Sequence, residues 1–166
     1  MAEARNATLL AEILGGASTA DAHHITAPSP GGGGAIACME MAIEEAGVPI
    51  EAIGYINAHG TSTPLNDMAE AEAIAKLFGS PGPPVSSTKG ITGHALGAAG
   101  ALEAIAVIMA IQHRLLPPTG GYTTRDPDMP ELRLVHGAPL PWEPAPALSN
   151  SFGFGGHNGC LVIGPA

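Results

Sequence analysis

The chain has 166 residues, enough for one domain with a real core. Its net charge of −9, with six Lys and Arg scattered rather than clustered, argues against nucleic acid and anionic membrane as partners. Two cysteines, Cys38 and Cys160, are too few for a disulfide framework and fit a reducing compartment, the cytoplasm.

Hydrophobic residues make up 45% but aromatics only 4%, with 23 glycines, so the core is expected to rely on close backbone approach. Charged residues are 13%, which leaves little solvated surface and predicts a chain that is part of a larger assembly. Residues 1–20 lack a basic start followed by an apolar block, so no signal peptide is expected.

The first predicted strand is residues 8–15, rich in Leu and Ile and ending at Gly15-Gly16. A helix follows over 35–46, with Ile36, Met39, Ile43 and Ala46 at helical spacing and Gly47 as its stop. Residues 53–58 form a second strand, apolar enough to be buried on both faces. Pro64 opens a helix to Phe78, with Glu70 and Glu72 on one side and Ile74 and Leu77 on another. Residues 83–87 make a third strand, then a Gly-rich turn leads into a helix from Ala95 to about His113. Residues 132–135 and 161–163 complete a sheet of five strands, with no repeat and no dividing linker. Strand and helix alternate over 8–113, which predicts an α/β fold with a mixed, mostly parallel sheet and helical crossovers.

The helix after His94 is apolar nearly all the way round, so it must be covered on every side. Glu103 inside it argues for a buried helix rather than a membrane span. A sheet of about five strands covers only one of its faces, so another element is expected on the other.

Parallel sheets carry their functional loops beyond the carboxyl ends of strands, where His59 and the stretch Lys89–His94 both fall. At a helix N-terminus the dipole disfavours an imidazolium, with the Lys89 charge pushing the same way, and a neutral ring can still donate an N–H to a developing oxyanion. Each histidine alone reads as a satisfied polar residue beside a Gly-rich turn; two at successive strand ends favour function. Thr61, Ser62 and Thr63 suit a polar arm such as an amide, or simple turn and cap chemistry. Glu103 needs a partner, with Lys89 and His94 as candidates, and a bare structural ion pair is an equal alternative.

Among four glycines, Phe152 and Phe154 form either a tight hairpin or a mobile loop whose backbone N–H groups complete an oxyanion site. His23-His24, His113 and His136 carry no site, and no metal site is expected. Gly31–Gly34 lacks the following Lys-Ser/Thr of a phosphate loop, so a nucleotide enzyme is disfavoured. Cys38 and Cys160 read as buried, inert thiols.

Three ordered motifs carry a resemblance over essentially the whole chain: Asn57-Ala58-His59-Gly60-Thr61-Ser62-Thr63-Pro64, Ser86-Ser87-Thr88-Lys89-Gly90-Ile91-Thr92-Gly93-His94, and Asn150-Ser151-Phe152-Gly153-Phe154-Gly155-Gly156. They resemble the elongating, type II β-ketoacyl-acyl carrier protein synthases, and Asp21-Ala22-His23-His24-Ile25-Thr26 resembles a further stretch of that family. Gly-Ile-Thr-Gly-His favours the stand-alone enzymes over modular polyketide ketosynthases, which usually carry Asn-Ile-Gly-His.

The resemblance implies a thiolase-like fold of two similar halves, with residues 1–166 forming the C-terminal half and the nucleophilic cysteine in the other. It implies decarboxylative Claisen condensation of malonyl-acyl carrier protein with an acyl thioester in fatty-acid elongation, and no activity for this half alone. His59 and His94 would hold the malonyl thioester carbonyl, with Lys89 and Glu103 orienting them. Thr61 and Thr63 would bind the pantetheine arm, and Phe152 and Gly153 would line the substrate site. The Phe154 N–H would join the acyl oxyanion hole, with its ring as a gate; His157 stands where many relatives have Thr.

No cofactor is implied beyond the phosphopantetheine of the carrier protein. The implied partners are that carrier protein, the N-terminal half and a second copy in a homodimer, with carrier docking mainly on the N-terminal half. The alternative function is a non-catalytic partner subunit resembling a chain-length factor. Such subunits often lose the two histidines and the lysine, all present here.

Overall fold

The computed structural model of the protein describes residues 2–166. Six strands form one sheet: β1 (Glu12–Ala20), β2 (Tyr55–Asn57), β3 (Pro84–Ser86), β5 (Arg133–Leu134), β7 (Ala147–Gly153) and β8 (His157–Gly164). Their order is β1-β8-β7-β2-β3-β5. β2 pairs parallel with β3 and β7, and β3 with β5, while β8 pairs antiparallel with β1 and β7. Two short strands, β4 (Leu115–Leu116) and β6 (Leu140–Pro141), pair apart from it.

The sheet therefore has six strands and not five. The additional one is β7, whose Ala-Leu-Ser-Asn-Ser-Phe-Gly hides a central strand behind polar side chains that the interior satisfies. β7 and β8 form a hairpin around a short turn at Phe154–Gly156. β1 lies at Glu12–Ala20 rather than at 8–15, because its partners on β8 are set from Glu12 opposite Gly164 to Ala20 opposite His157.

Among the described residues, four α-helices complete the fold: α1 (Gly33–Ala46), α2 (Pro64–Phe78), α3 (Lys89–Thr92) and α4 (Ala99–His113). α1 stops at Gly47, which is left-handed with φ 65° and returns its N–H to the Glu44 carbonyl. α2 starts with Pro64, where the missing N–H costs nothing because that donor has no helical partner. α4 begins at Ala99, later than the sequence implied, since a short 3-10 turn at Leu96–Ala98 precedes it.

Alternation along the strands divides the core between the two faces. Ile56, Leu148 and Val162 pack with Cys38, Met39 and Ala42 of α1 and Ala73 and Ile74 of α2. Tyr55, Ala147 and Ile163 pack with Val107, Ala110 and Ile111 of α4. Helices thus cover both faces. Gly15 lets α1 seat closely, because a Cβ there would lie 2.5 Å from the Ala46 nitrogen.

α4 is covered on one side only. Val107, Ala110 and Ile111 are buried, whereas Leu102, Ile105 and Met109 stand 41%, 55% and 49% exposed. Residues Leu96–His113 are long and apolar enough to cross a membrane by length and composition. Glu103 is nonetheless paired with Lys89 from the protein's own interior, so the inner face of α4 belongs to a core.

Candidate active site

The carboxyl ends of β2 and β3 deliver the two histidines. β2 ends at Asn57, and Ala58 continues onto β3 through its N–H to the Ser86 carbonyl, so His59 emerges at the sheet's rim. Gly60, with φ +42°, turns the chain against Ser87, where a Cβ would lie 2.6 Å from the Ser87 Cβ. Beyond β3, the helical turn α3 buries Lys89 and places His94 just after Gly93. The rings of His59 and His94 meet edge to face, with centroids 5.4 Å apart at 85°.

Hydrogen bonds fix the tautomers of both rings. The Lys89 ammonium has no lone pair, so it donates to His59 Nδ1 at 3.2 Å. The backbone N–H of Leu96 donates to His94 Nδ1 at 3.2 Å. Each neutral ring therefore carries its proton on Nε2, free to donate. Burial, reinforced by the Lys89 charge and then by His94, pushes His59 down to about 3, so it stays uncharged at neutral pH.

Lys89 is held in turn. Its ammonium also donates to the His59 carbonyl and to the Glu103 carboxylate, and both charged side chains are buried. Ser151 Oγ donates to the other Glu103 oxygen at 3.3 Å. Glu103 thus reaches His59 through Lys89, which answers the question of its partner.

Glu70 is the residue that sequence reasoning placed wrongly. It is not on a side of α2 apart from Ile74 but buried with it, and its carboxylate accepts the His59 and Gly60 N–H groups at 2.9 Å each and Asn150 Nδ2 at 3.1 Å. Burial pushes its carboxyl upward, while these three donors favour the ionised form. The available signal was spacing, since Glu70 lies one turn before the buried Ile74 and shares its face.

The remaining candidates surround the pair. Phe152 of β7 lies against His59, with centroids 6.0 Å apart. Gly153 ends that strand in extended conformation, and Phe154 begins the hairpin turn with its side chain 78% exposed. Two backbone bonds tie this turn to the segment after β1: Gly155 N–H to the Ile25 carbonyl and Asp21 N–H to the Gly156 carbonyl. His157 packs beside Gly155 and is exposed. The Thr61 and Thr63 hydroxyls bond each other at 2.9 Å across Ser62, which is left-handed at φ 62°. Among the described residues, no cluster of His, Cys, Asp and Glu could hold a metal ion. Cys38 and Cys160 are buried and their thiols pushed upward by desolvation, which makes them poor nucleophiles.

A mixed sheet whose rim presents two histidine rings beside a buried Lys–Glu pair defines an α/β protein with a candidate oxyanion site. Residues 10–123 match the family described as "Beta-ketoacyl synthase, C-terminal domain". The chain belongs to that family. It is 46% identical over 165 residues to the chloroplastic 3-oxoacyl-[acyl-carrier-protein] synthase II of Arabidopsis thaliana, covering 99% of this chain and 30% of the relative. It is 47% identical over 162 residues to 3-oxoacyl-[acyl-carrier-protein] synthase 2 of Synechocystis, covering 96% and 39%.

Among solved structures, a beta-ketoacyl synthase from Burkholderia phymatum superimposes with a TM-score of 0.95 at 39% identity, covering 99% of this chain and 40% of that one. The ishigamide ketosynthase/chain length factor gives the same values. The chain thus spans 30–40% of the length of these proteins, and its fold is the one they share.

Proposed function

We propose that residues 1–166 form the C-terminal domain of a 3-oxoacyl-[acyl-carrier-protein] synthase and supply its decarboxylating machinery. The carrying observation is the edge-to-face pair His59 and His94, each with Nδ1 occupied by a donor and Nε2–H left to donate. Two N–H donors on neighbouring rings suit the oxygen of a malonyl thioester. As the bond to the carboxyl group breaks, carbon dioxide leaves and the electron pair passes into an enolate whose oxygen both rings stabilise. The enolate carbon then attacks an acyl thioester on a cysteine of the N-terminal half, forming the new carbon–carbon bond and releasing the thiolate.

Lys89, Glu103 and Glu70 act through His59 as positioning residues. In this reading Thr61 and Thr63 bind the pantetheine arm, Phe152 and Gly153 line the substrate site, and Phe154 contributes its N–H to the acyl oxyanion hole and its ring as a gate. The partners are acyl carrier protein, the cysteine-bearing half and a second synthase copy, and the setting is the cytoplasm. Phosphopantetheine arrives on the carrier and no other cofactor takes part. The alternative, a non-catalytic partner subunit, is disfavoured because both histidines and the lysine are present, with Lys89 hydrogen-bonded to His59 and the His94 ring packed against it.

The chain alone is expected to be inactive, and adding a cysteine-bearing half to restore condensation. In that complex His94→Ala should slow carbon dioxide release from malonyl-acyl carrier protein by about 100- to 1000-fold, the usual loss for one oxyanion donor. Unchanged release would remove His94 from the reaction.

A further inference from the structure

A line of buried side chains runs from the β7–β8 hairpin to the loop that carries His59. Cys160 of β8 and Asn150 of β7 stand directly opposite each other, and Glu70 meets Asn150 from α2. All three residues are buried. The Cys160 thiol donates to Asn150 Oδ1 at 3.1 Å, and Asn150 Nδ2 donates to Glu70 Oε1 at 3.1 Å. Glu70 in turn collects the His59 and Gly60 N–H groups. Phe152 lies two residues along β7 from Asn150, so both point to one face, and its ring lies against that of His59. β7 thus holds His59 twice, by the ring through Phe152 and by the backbone through Asn150.

The direction of each bond in this line is set by chemistry. An ionised carboxylate only accepts, so the amide turns Nδ2 toward Glu70. Its second N–H meets the Met39 sulfur at 3.5 Å. Oδ1 is then left facing Cys160, where only a donor satisfies it. The thiol stays a donor, because burial raises it well above the ordinary cysteine value and keeps its proton in place. Reversing the amide would set Oδ1 against the Glu70 carboxylate. The thiol therefore matches one orientation of Asn150, the one that serves Glu70.

We propose that Asn150 is a positioning residue for His59, and that the Cys160 thiol is the donor that orients it. The role serves the decarboxylation assigned to the histidine pair and rests on that reading. Without the thiol, Oδ1 has no donor in a dry interior and the amide loses its hold. Glu70 then keeps the two backbone donors but not the side chain that ties it to the sheet. The His59 loop loosens, and β7 grips it through Phe152 alone.

The test uses the chain assembled with a cysteine-bearing half, carrying Cys160→Ala, Cys160→Val or Cys160→Ser. Alanine and valine both lack the donor, one smaller and one larger than cysteine, while serine keeps it. Amide hydrogen exchange read by mass spectrometry should show His59 and Gly60 exchanging about tenfold faster with alanine or valine, the effect of one lost hydrogen bond, and β1 unchanged. Serine should restore the parent rate. With alanine or valine, kcat for carbon dioxide release should also fall about tenfold at constant KM, because the His59 donor acts on the developing oxyanion. Unchanged exchange at His59 and Gly60 in both variants would overturn the proposal, as would a serine variant that behaves like alanine. So would faster exchange with unchanged carbon dioxide release, where His94→Ala in the same complex removes that release. If His94→Ala leaves release intact, the reading of the histidine pair fails, and exchange at His59 and Gly60 still decides whether Asn150 holds the loop.

Discussion

His59 resists a proton because burial penalises the charged ring and the Lys89 ammonium at 3.2 Å repels it, with His94 adding a smaller push. In the unfolded chain the ring protonates near 6.5, and in the fold only near 3. The unfolded state therefore binds the extra proton between those values, so this contribution to stability is complete above pH 6.5 and is lost as pH falls toward 3. In a histidine-labelled sample, the His59 ring carbon should keep the neutral shift from pH 8 to pH 5. A titration midpoint near 6 would show that the ring is not held as described. A ring that stays uncharged at neutral pH keeps a donor on Nε2 and an acceptor on Nδ1, which is what the proposed oxyanion role requires.

At the scale of elements, α2 does more than cross between β2 and β3. Its Glu70 gathers the N–H groups of His59 and Gly60 onto one carboxylate, so the helix holds the loop that carries His59. Glu70→Gln would turn an amide N–H toward one of those backbone donors and leave it unpaired. The expected loss is about 1–3 kcal/mol, read as a lower denaturation midpoint with unchanged slope. An unchanged midpoint would mean that the loop holds itself.

The same helix shows what the sequence makes legible. Thr63-Pro64 and Gly79 mark its ends, and the structure places it at Pro64–Phe78 as the pattern predicts. The placement of His59 and His94 beyond strand ends was also readable, because both strands run into Gly-rich turns. Glu70 was not, since a carboxylate satisfied by backbone donors leaves no charge partner in the sequence. β7 escaped for a related reason: Ser149 and Asn150 are buried and look like loop residues until their neighbours are known. Nor could composition show that residues 119–134 border a cavity with α2, which depends on the distant hydrogen bonds that fasten Thr119 and Arg133.

For the whole molecule, α4 determines behaviour in solution. Leu102, Ile105 and Met109 line one exposed stripe, and the chain spans only 30–40% of the relatives it matches. Exposed apolar surface of this kind drives association. Sedimentation of the isolated chain should show oligomers or aggregates, and the double variant Leu102→Glu, Ile105→Glu should shift it toward monomer and weaken reconstitution with a cysteine-bearing half. A monodisperse, well-folded monomer of the unaltered chain would contradict this.

The pairing of β1 with β8 has a kinetic consequence. Glu12 lies opposite Gly164, so the sheet's outermost ladder joins residues far apart in the sequence. Bringing such distant partners together costs loop-closure entropy before any ladder bond repays it. Topologies of this kind reach the native state slowly, and during synthesis β1 must wait without its sheet partner until β8 has left the ribosome.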